Sequence, residues 1–203
     1  MFNLILDRNW SDTVIVRPRK QRKLPCVLSR DQILSIVEHV SSLKHRTIFL
    51  TAYSGGLRIS EVLSLAVSDI DSRNMLIRVR GGKGSKDRFT LLGKENLRML
   101  RSYWKIARTK GLLFPGQSPG QPLCSSNIQK VFRAARDSAG APKAATVHSL
   151  RHSFGTHILE SGTDLRTIQT LMGHAAISTT CIYLHLSTEH LSKVRSPMDR
   201  GEQ

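Results

Sequence analysis

Arg58, Lys83, His148, Arg151, His174 and Tyr183 are the positions whose residue types and settings suit chemistry on a phosphate. Arg58 stands in Ser54-Gly55-Gly56-Leu57-Arg58-Ile59-Ser60-Glu61, after a double glycine and at the expected start of a helix. There its fork of donors could join the helix's own free N–H groups around an anion. Lys83 sits in Gly81-Gly82-Lys83-Gly84, a turn from which a lysine can reach a ligand. His148 and Arg151 lie three apart in His148-Ser149-Leu150-Arg151, so a helix puts them on one face. His174 follows Gly173 at an expected helix end, and Tyr183 comes nine residues later. Cations and donors of this kind stabilise the charge on a phosphoryl group in transfer. A phenol, with a pKa of about 10, is a weak nucleophile when neutral and needs a neighbouring base and a positive field.

Taken singly, each position has a plainer explanation. An arginine at a helix start is most often a surface residue, and a lysine in a glycine turn is most often solvated. Tyr183, between Ile182 and Leu184, would serve as a core aromatic. His148 and His152 are four apart and could share a metal, but no carboxylate or cysteine stands near as a third ligand. His157 points to another helical face, so no metal site is expected.

The elements that must position these residues follow from pattern. Residues 1–28 read as an extended basic linker. Arg17, Arg19, Lys20, Arg22 and Lys23 crowd together there, with Pro18 and Pro25 around them. That segment is a strap over a phosphate backbone or a solvated tether. A helix begins at Ser29, where Gln32 completes a capping box, and buries Ile33, Ile36, Val37 and Val40. Thr47 to Tyr53 forms a second apolar stretch, and a third helix from Arg58 buries Ile59, Val62, Leu63 and Leu65. Residues 75–80 and 87–92 alternate with period two around the glycine turn, which predicts a β-hairpin holding Lys83. Asp69-Ile70-Asp71 is expected to precede a further short strand of that sheet. Helices are predicted over 95–110, 125–140 and 146–161. Another is capped by Thr163 and carries Leu165, Ile168, Leu171 and Met172. A short helix runs from Ser178 through Tyr183, and a last one over 188–194. The whole is an α+β domain, mainly helical, with a small antiparallel sheet. Residues 29–197 form it, and 198–203 are a tail.

Composition narrows the partner. The 203 residues carry 31 Lys and Arg against 15 Asp and Glu, a formal net charge of +16. Such a surplus favours a polyanion, nucleic acid first and an anionic membrane surface second. No apolar run is long enough to span a bilayer, and residues 1–10 are too short and polar for a secretory signal. Cys26, Cys124 and Cys181 lie far apart and are odd in number, which suits free thiols in a reducing cytoplasm. A cytoplasmic protein gathered on the nucleoid when bound to DNA is the expectation.

The motifs in order resemble the catalytic domain of the tyrosine recombinases, the phage integrase family. They are GLRISE at 56–61, GKGSKDR at 82–88, HSLRHSFGTH at 148–157, LMGH at 171–174 and STTCIYLH at 178–185. The resemblance runs from about Leu24 to about Pro197. It implies that Arg58 and Arg151 clamp the non-bridging oxygens of a scissile phosphate while His148 and His174 hydrogen-bond it. His148 would also help to accept the tyrosine proton. Lys83 would protonate the departing 5′ oxygen, Glu61 would support the site from behind, and Tyr183 would form a 3′-phosphotyrosyl link. No metal or other cofactor is implied. The implied partners are double-stranded DNA and further copies of the chain in a synaptic tetramer, swapping a C-terminal helix at about 187–194. Arg17, Arg19, Lys20, Arg22 and Lys23, with Lys86 and Arg88 of the hairpin, are candidate DNA contacts.

One departure from the family bears on function. Members carry a separate helical domain of roughly one hundred residues before this one. Here residues 1–28 stand in its place, and Asp7 to Trp10 resemble its tail. Half of a DNA clamp would then be missing. Two alternatives therefore stand beside recombination. One is a truncated DNA binder with weak catalysis, and the other a monomeric topoisomerase-like enzyme using the same tyrosine chemistry. Any of the three should bind DNA with an affinity that falls steeply as salt rises, since bound phosphates release counterions. A titration giving a flat salt response would remove the basic linker as a DNA strap.

Overall fold

A computed structural model describes residues 24–81, 87–118 and 120–186. The basic cluster at 17–23, the turn bearing Lys83 and Lys86, and the expected helix over 188–194 lie outside the described residues.

The chain folds as a mainly helical α+β domain. Helix α1 is Arg30–Glu38, α2 Leu43–Ser54 and α3 Ile59–Ser64. A short 3₁₀ helix, Val67–Asp69, leads into strands β1 Ile70–Asp71, β2 Leu76–Val79 and β3 Arg88–Leu91. Then come α4 Lys94–Ala107, α5 Ser125–Ser138, α6 Val147–Glu160, α7 Leu165–Met172, α8 Ile177–Thr180 and α9 Ile182–Leu186. The sheet is antiparallel in the order β1-β2-β3, with Ile70 opposite Ile77 and Val79 opposite Arg88. Ile77 and Val79 turn inward while Arg78 faces out, the alternation that the period-two pattern requires.

Local chemistry explains most boundaries. The Ser29 hydroxyl accepts from the Gln32 N–H, and the Gln32 side chain accepts from the Ser29 N–H, closing the expected capping box of α1. Helix α6 ends at Glu160 and is closed by Gly162, whose φ of 92° lets the Thr163 N–H reach the Ile158 carbonyl. That bond commits Thr163 to closing α6. The cap of α7 falls instead on Asp164, whose carboxylate accepts from the N–H groups of Arg166 and Thr167. The sequence expectation of a Thr163 cap is corrected there. The predicted 95–110 helix stops at Ala107, because Arg108 adopts a left-handed conformation. Asp69-Ile70-Asp71 itself supplies the outer strand, since Ile70 and Asp71 pair with Ile77 and Leu76. The single helix expected from Ser178 to Tyr183 is broken at Cys181 into α8 and α9, and α9 turns to pack on α6.

Among the described residues, two clusters form the core. The larger joins α1–α5, the sheet and the start of α6 around Phe49, Phe114 and Phe132, all fully buried. The smaller consists of Phe154, Leu159, Ile168, Met172 and Tyr183 and joins α6, α7 and α9. Helix α2 passes beside both, packing on α4 and α6. Its run Thr47–Ala52 is buried on every side, so it shows no helical period in sequence. Arg136, nearly buried on α5, donates to the carbonyls of Lys143 and Ala145 and so fixes the approach to α6.

Candidate active site

The site assembles where α3, α6, the end of α7 and α9 meet. Gly56 sets its first wall. Its φ of +60° turns the chain sharply, and a Cβ there would lie 2.2 Å from the Phe154 ring. The turn aims the Gly56 carbonyl at Arg151, whose guanidinium donates to it at 2.7 Å and to the Met172 carbonyl at 2.6 Å. Arg151 is therefore fixed by α6, the glycine turn and the end of α7, and only 2% of it is exposed. Burial, with Arg58 adding, brings its pKa down to about 10, so it stays charged at neutral pH.

Glu61 gathers the cations. Its carboxylate accepts from the Arg58 N–H at 2.8 Å and from the Arg58 guanidinium at 2.9 Å. It also receives both arms of the Arg88 fork, at 3.0 and 2.9 Å, and lies 3.6 Å from Arg151. Burial works against its charge, but hydrogen bonds from Arg88 and Arg58 and the nearby guanidiniums outweigh it and hold its pKa below the ordinary value. The Arg58 backbone N–H, which could have met an anion directly, is thus taken by Glu61. The Arg58 side chain remains 42% exposed. Arg88 has a different setting from the outward one expected of a DNA contact. It is partly buried, bonded to Glu61 and the Leu171 carbonyl, with 15% of its side chain exposed.

Tyr183 closes the other side. Its ring lies over Gly155, where a Cβ would meet it at 2.5 Å, and 1% of the residue is exposed. The HSFGTH motif thus carries a glycine for close approach of the tyrosine, a role the sequence reading missed. Gly155→Ala should overpack the site by about 1–3 kcal/mol and displace the ring. Thermal unfolding measures the first effect. A full melting temperature with unimpaired DNA chemistry would refute the contact. Burial pushes the Tyr183 phenol up to about 12, against the pull of Arg151 and Arg58.

Three histidines surround the same space. His148 is exposed at the rim, its pKa lowered by desolvation and by Arg151 and Arg58. His174 lies parallel to Tyr183, with ring centroids 6.3 Å apart and an interplanar angle of 13°, and its Nδ1 is 3.0 Å from the Thr180 hydroxyl. His152, which the sequence reading weighed only as a metal ligand, sits between His148 and Tyr183. Among the described residues, no three His, Cys, Asp or Glu side chains are grouped to hold a metal ion.

Burial first, then neighbouring charges, drives both His152 and His174 down to about 4. Their folded pKa values lie below the ordinary 6.5, so between those limits the unfolded chain binds more protons. Stability is then full above the ordinary value and falls as pH drops toward about 4. A melting temperature that declines over this window, less steeply in His174→Gln, is the expected result. Identical slopes would contradict it.

Arg58, His148, Arg151, His152, His174 and Tyr183 all line one open cavity of about 470 Å³. A larger groove of about 790 Å³, lined mainly by apolar atoms of α1, α2, β2, β3 and α6, holds none of the expected catalytic residues. Polarity and converging donors, more than volume, make the smaller cavity the candidate site for chemistry. Lys83 belongs to a turn outside the described residues, though β2 and β3 on either side of that turn pair as predicted. No helix among the described residues is long and apolar enough to cross a membrane.

Known proteins resemble the chain over most of its length. The profile of the phage integrase family matches residues 27–190. The protein y4qK of Sinorhizobium fredii, designated an integrase/recombinase, is 42% identical over 199 residues, covering 98% of this chain and 65% of its own length. Tyrosine recombinase XerD of Oceanobacillus iheyensis is 37% identical over 189 residues, covering 87% of this chain and 63% of its own. The crystal structure of XerA recombinase superposes with a TM-score of 0.76 at 31% identity, covering 96% of this chain and 73% of that one. The post-cleavage complex of XerH recombinase with palindromic difH substrate gives a TM-score of 0.73 at 28% identity, covering 84% and 52%. The chain thus spans about two thirds of the length of these curated relatives.

Proposed function

The chain belongs to the phage integrase family of tyrosine recombinases, and from that premise we propose that it cuts and rejoins duplex DNA through a covalent link to Tyr183. One observation supports the reading most. Tyr183 lies in a single cavity with Arg58, Arg151, His148 and His174, brought there from four separate elements.

In this reading the scissile phosphate enters that cavity. Arg58 and Arg151 hold its non-bridging oxygens. Two of the Arg151 donors are fixed on carbonyls, which orients the fork and leaves the remaining donors for the phosphate. His148 and His174 hydrogen-bond the same group. Glu61 keeps Arg58 in place and, through Arg88, ties α3 to the end of α7. These fixed charges face the site where negative charge develops, and they need no reorganisation during the reaction. Tyr183 attacks phosphorus, and the 5′ oxygen departs with a proton that we assign to Lys83. The product is a 3′-phosphotyrosyl link and a free 5′-hydroxyl. A 5′-hydroxyl of the exchanging strand later attacks that link, so rejoining consumes no ATP.

The same proposal extends to partners. XerH was crystallised with its difH substrate before and after cleavage, and the Tn1549 transposon integrase with transposon DNA. We place duplex DNA in the corresponding role here, with further copies of the chain completing a synaptic tetramer. Arg17, Arg19, Lys20, Arg22, Lys23 and Lys86 are proposed as backbone contacts. For Arg88 we propose a tie between Glu61 and the Leu171 carbonyl in place of a backbone contact.

Strand polarity tests the reading. Duplexes from the DNA flanking the gene, labelled at one end, would be incubated with the protein and a chelator, then digested with protease. A 3′-phosphotyrosyl link leaves a new 5′-hydroxyl that a polynucleotide kinase can label. A new 5′-phosphate, or cleavage that requires added metal, would overturn it. Plasmid relaxation without any preferred site would move the assignment to a topoisomerase-like enzyme.

A further inference from the structure

We propose that His152 is a further catalytic residue of this site, accepting the phenolic proton of Tyr183 as phosphorus is attacked. The inference rests on the reading of Tyr183 as nucleophile and deepens it.

Position comes first. His152 lies one turn beyond His148 on α6, their rings edge to face with centroids 5.0 Å apart. On its other side the Tyr183 ring is 6.2 Å away, tilted by 53°. His152 therefore stands between His148 and the nucleophile, in the wall of the catalytic cavity. Its neighbours are less suited to take the proton, including His148, to which the family resemblance gives a share in that step. His174 presents its face to the phenol ring and has its Nδ1 beside Thr180. His148 stands outward at the rim, where the phosphate enters.

The second observation is a polar atom without a partner. His152 Nδ1 is buried and forms no hydrogen bond. A leucine or phenylalanine would fill the same space without leaving a buried polar atom unpaired, so packing alone does not account for an imidazole here. A ring that must take and return a proton does account for it.

Charge sets the protonation state. The titratable and charged groups around His152 are His148 and Arg151 on its own helix, Arg58 at the start of α3, His174 beyond α7 and Tyr183 on α9. Burial and the cations keep the imidazole neutral, with a lone pair free. A phosphodiester bound in the cavity offsets those cations and raises the ring's affinity for a proton. In the step itself, the Tyr183 O–H bond breaks as the bond from its oxygen to phosphorus forms. The proton passes to His152. The bond from phosphorus to the 5′ oxygen breaks, and its electron pair leaves with that oxygen. On rejoining, His152 returns the proton to the tyrosine oxygen.

The test uses duplexes with a bridging 5′ sulfur at the scissile position, located beforehand by the polarity experiment. Sulfur leaves without an acid, so proton removal from Tyr183 is isolated. Single-turnover adduct formation would be followed across pH for wild type, His152→Gln and His152→Ala, with thermal unfolding of each. His152→Asn replaces any variant that has lost its fold. His152→Gln should slow the reaction at neutral pH by about a hundredfold or more, while DNA affinity changes by less than about threefold. The deficit should narrow as pH rises and hydroxide takes over the proton. Added imidazole should restore about tenfold to His152→Ala. A rate for His152→Gln within about threefold of wild type overturns the proposal, as does a deficit constant with pH and indifferent to imidazole. If wild type itself forms no adduct, the assignment of Tyr183 falls and this one falls with it. Wild-type adducts with indifferent His152 variants overturn this inference alone.

Discussion

Tyr183→Phe is expected to abolish the covalent protein–DNA adduct and to leave the fold in place. Phenylalanine keeps the ring that packs over Gly155 and joins Phe154, Leu159, Ile168 and Met172. The melting temperature should therefore stay within about 2–4 °C of wild type, the shift that 1 kcal/mol produces in a domain of this size. The chemistry has no substitute. With the phenol oxygen gone, the hydroxyl and thiol groups left in the cavity are those of Ser178, Thr179 and Cys181, which precede α9, and adduct formation should fall by more than about 10⁴-fold. Salt-dependent DNA binding should survive. A variant that still forms adducts would move the nucleophile elsewhere. A variant that unfolds would show Tyr183 to be needed for packing first.

Glu61→Gln carries the second large effect, on stability as well as on chemistry. Three arginines, Arg58, Arg88 and Arg151, converge on one carboxylate that is 15% exposed. Removing its charge leaves partly buried guanidiniums facing one another, at a cost of about 3–5 kcal/mol. The acid response follows by linkage. The Glu61 pKa is held below its ordinary value of 4.5, so its contribution is present above that pH and is lost as pH falls through the folded value. Chemical denaturation at neutral pH measures the loss, and repeating it in acid should find the gap between wild type and Glu61→Gln narrowing. A gap that stays constant with pH would mean that the carboxylate's charge is not what holds α3 to β3.

Glu61 also illustrates what was legible in the sequence. Its place three residues after Arg58 is visible in the GLRISE motif, as are the order and spacing of the other catalytic candidates. What the sequence cannot display is which cation a carboxylate meets across the fold. Arg88 is 27 residues away and arrives through strand pairing, and its second partner, Leu171, is 83 residues away. In sequence it is one more arginine in a basic hairpin, so it reads as a DNA contact. Gly155 and His152 were hidden for a related reason. Both lie in a motif already accounted for by His148 and Arg151, and their importance appears only when α9 folds back onto α6. The break at Cys181 that permits this has no proline or glycine to announce it. Helix α1, by contrast, was readable to its capping box, because every interaction that defines its start lies within four residues.

The most direct test of the central claim is to find the covalent link itself. Adducts trapped on nicked duplexes in the presence of chelator would be digested with nuclease and trypsin, and the peptides analysed by mass spectrometry. The chain has three tyrosines, Tyr53, Tyr103 and Tyr183, and cleavage after Arg166 and Lys193 isolates the last of them in its own peptide. A nucleotide attached through phosphate to Tyr183 is the predicted result. A nucleotide on either of the other tyrosines or on a serine would contradict the assignment, as would cleaved DNA with no nucleotide on any peptide.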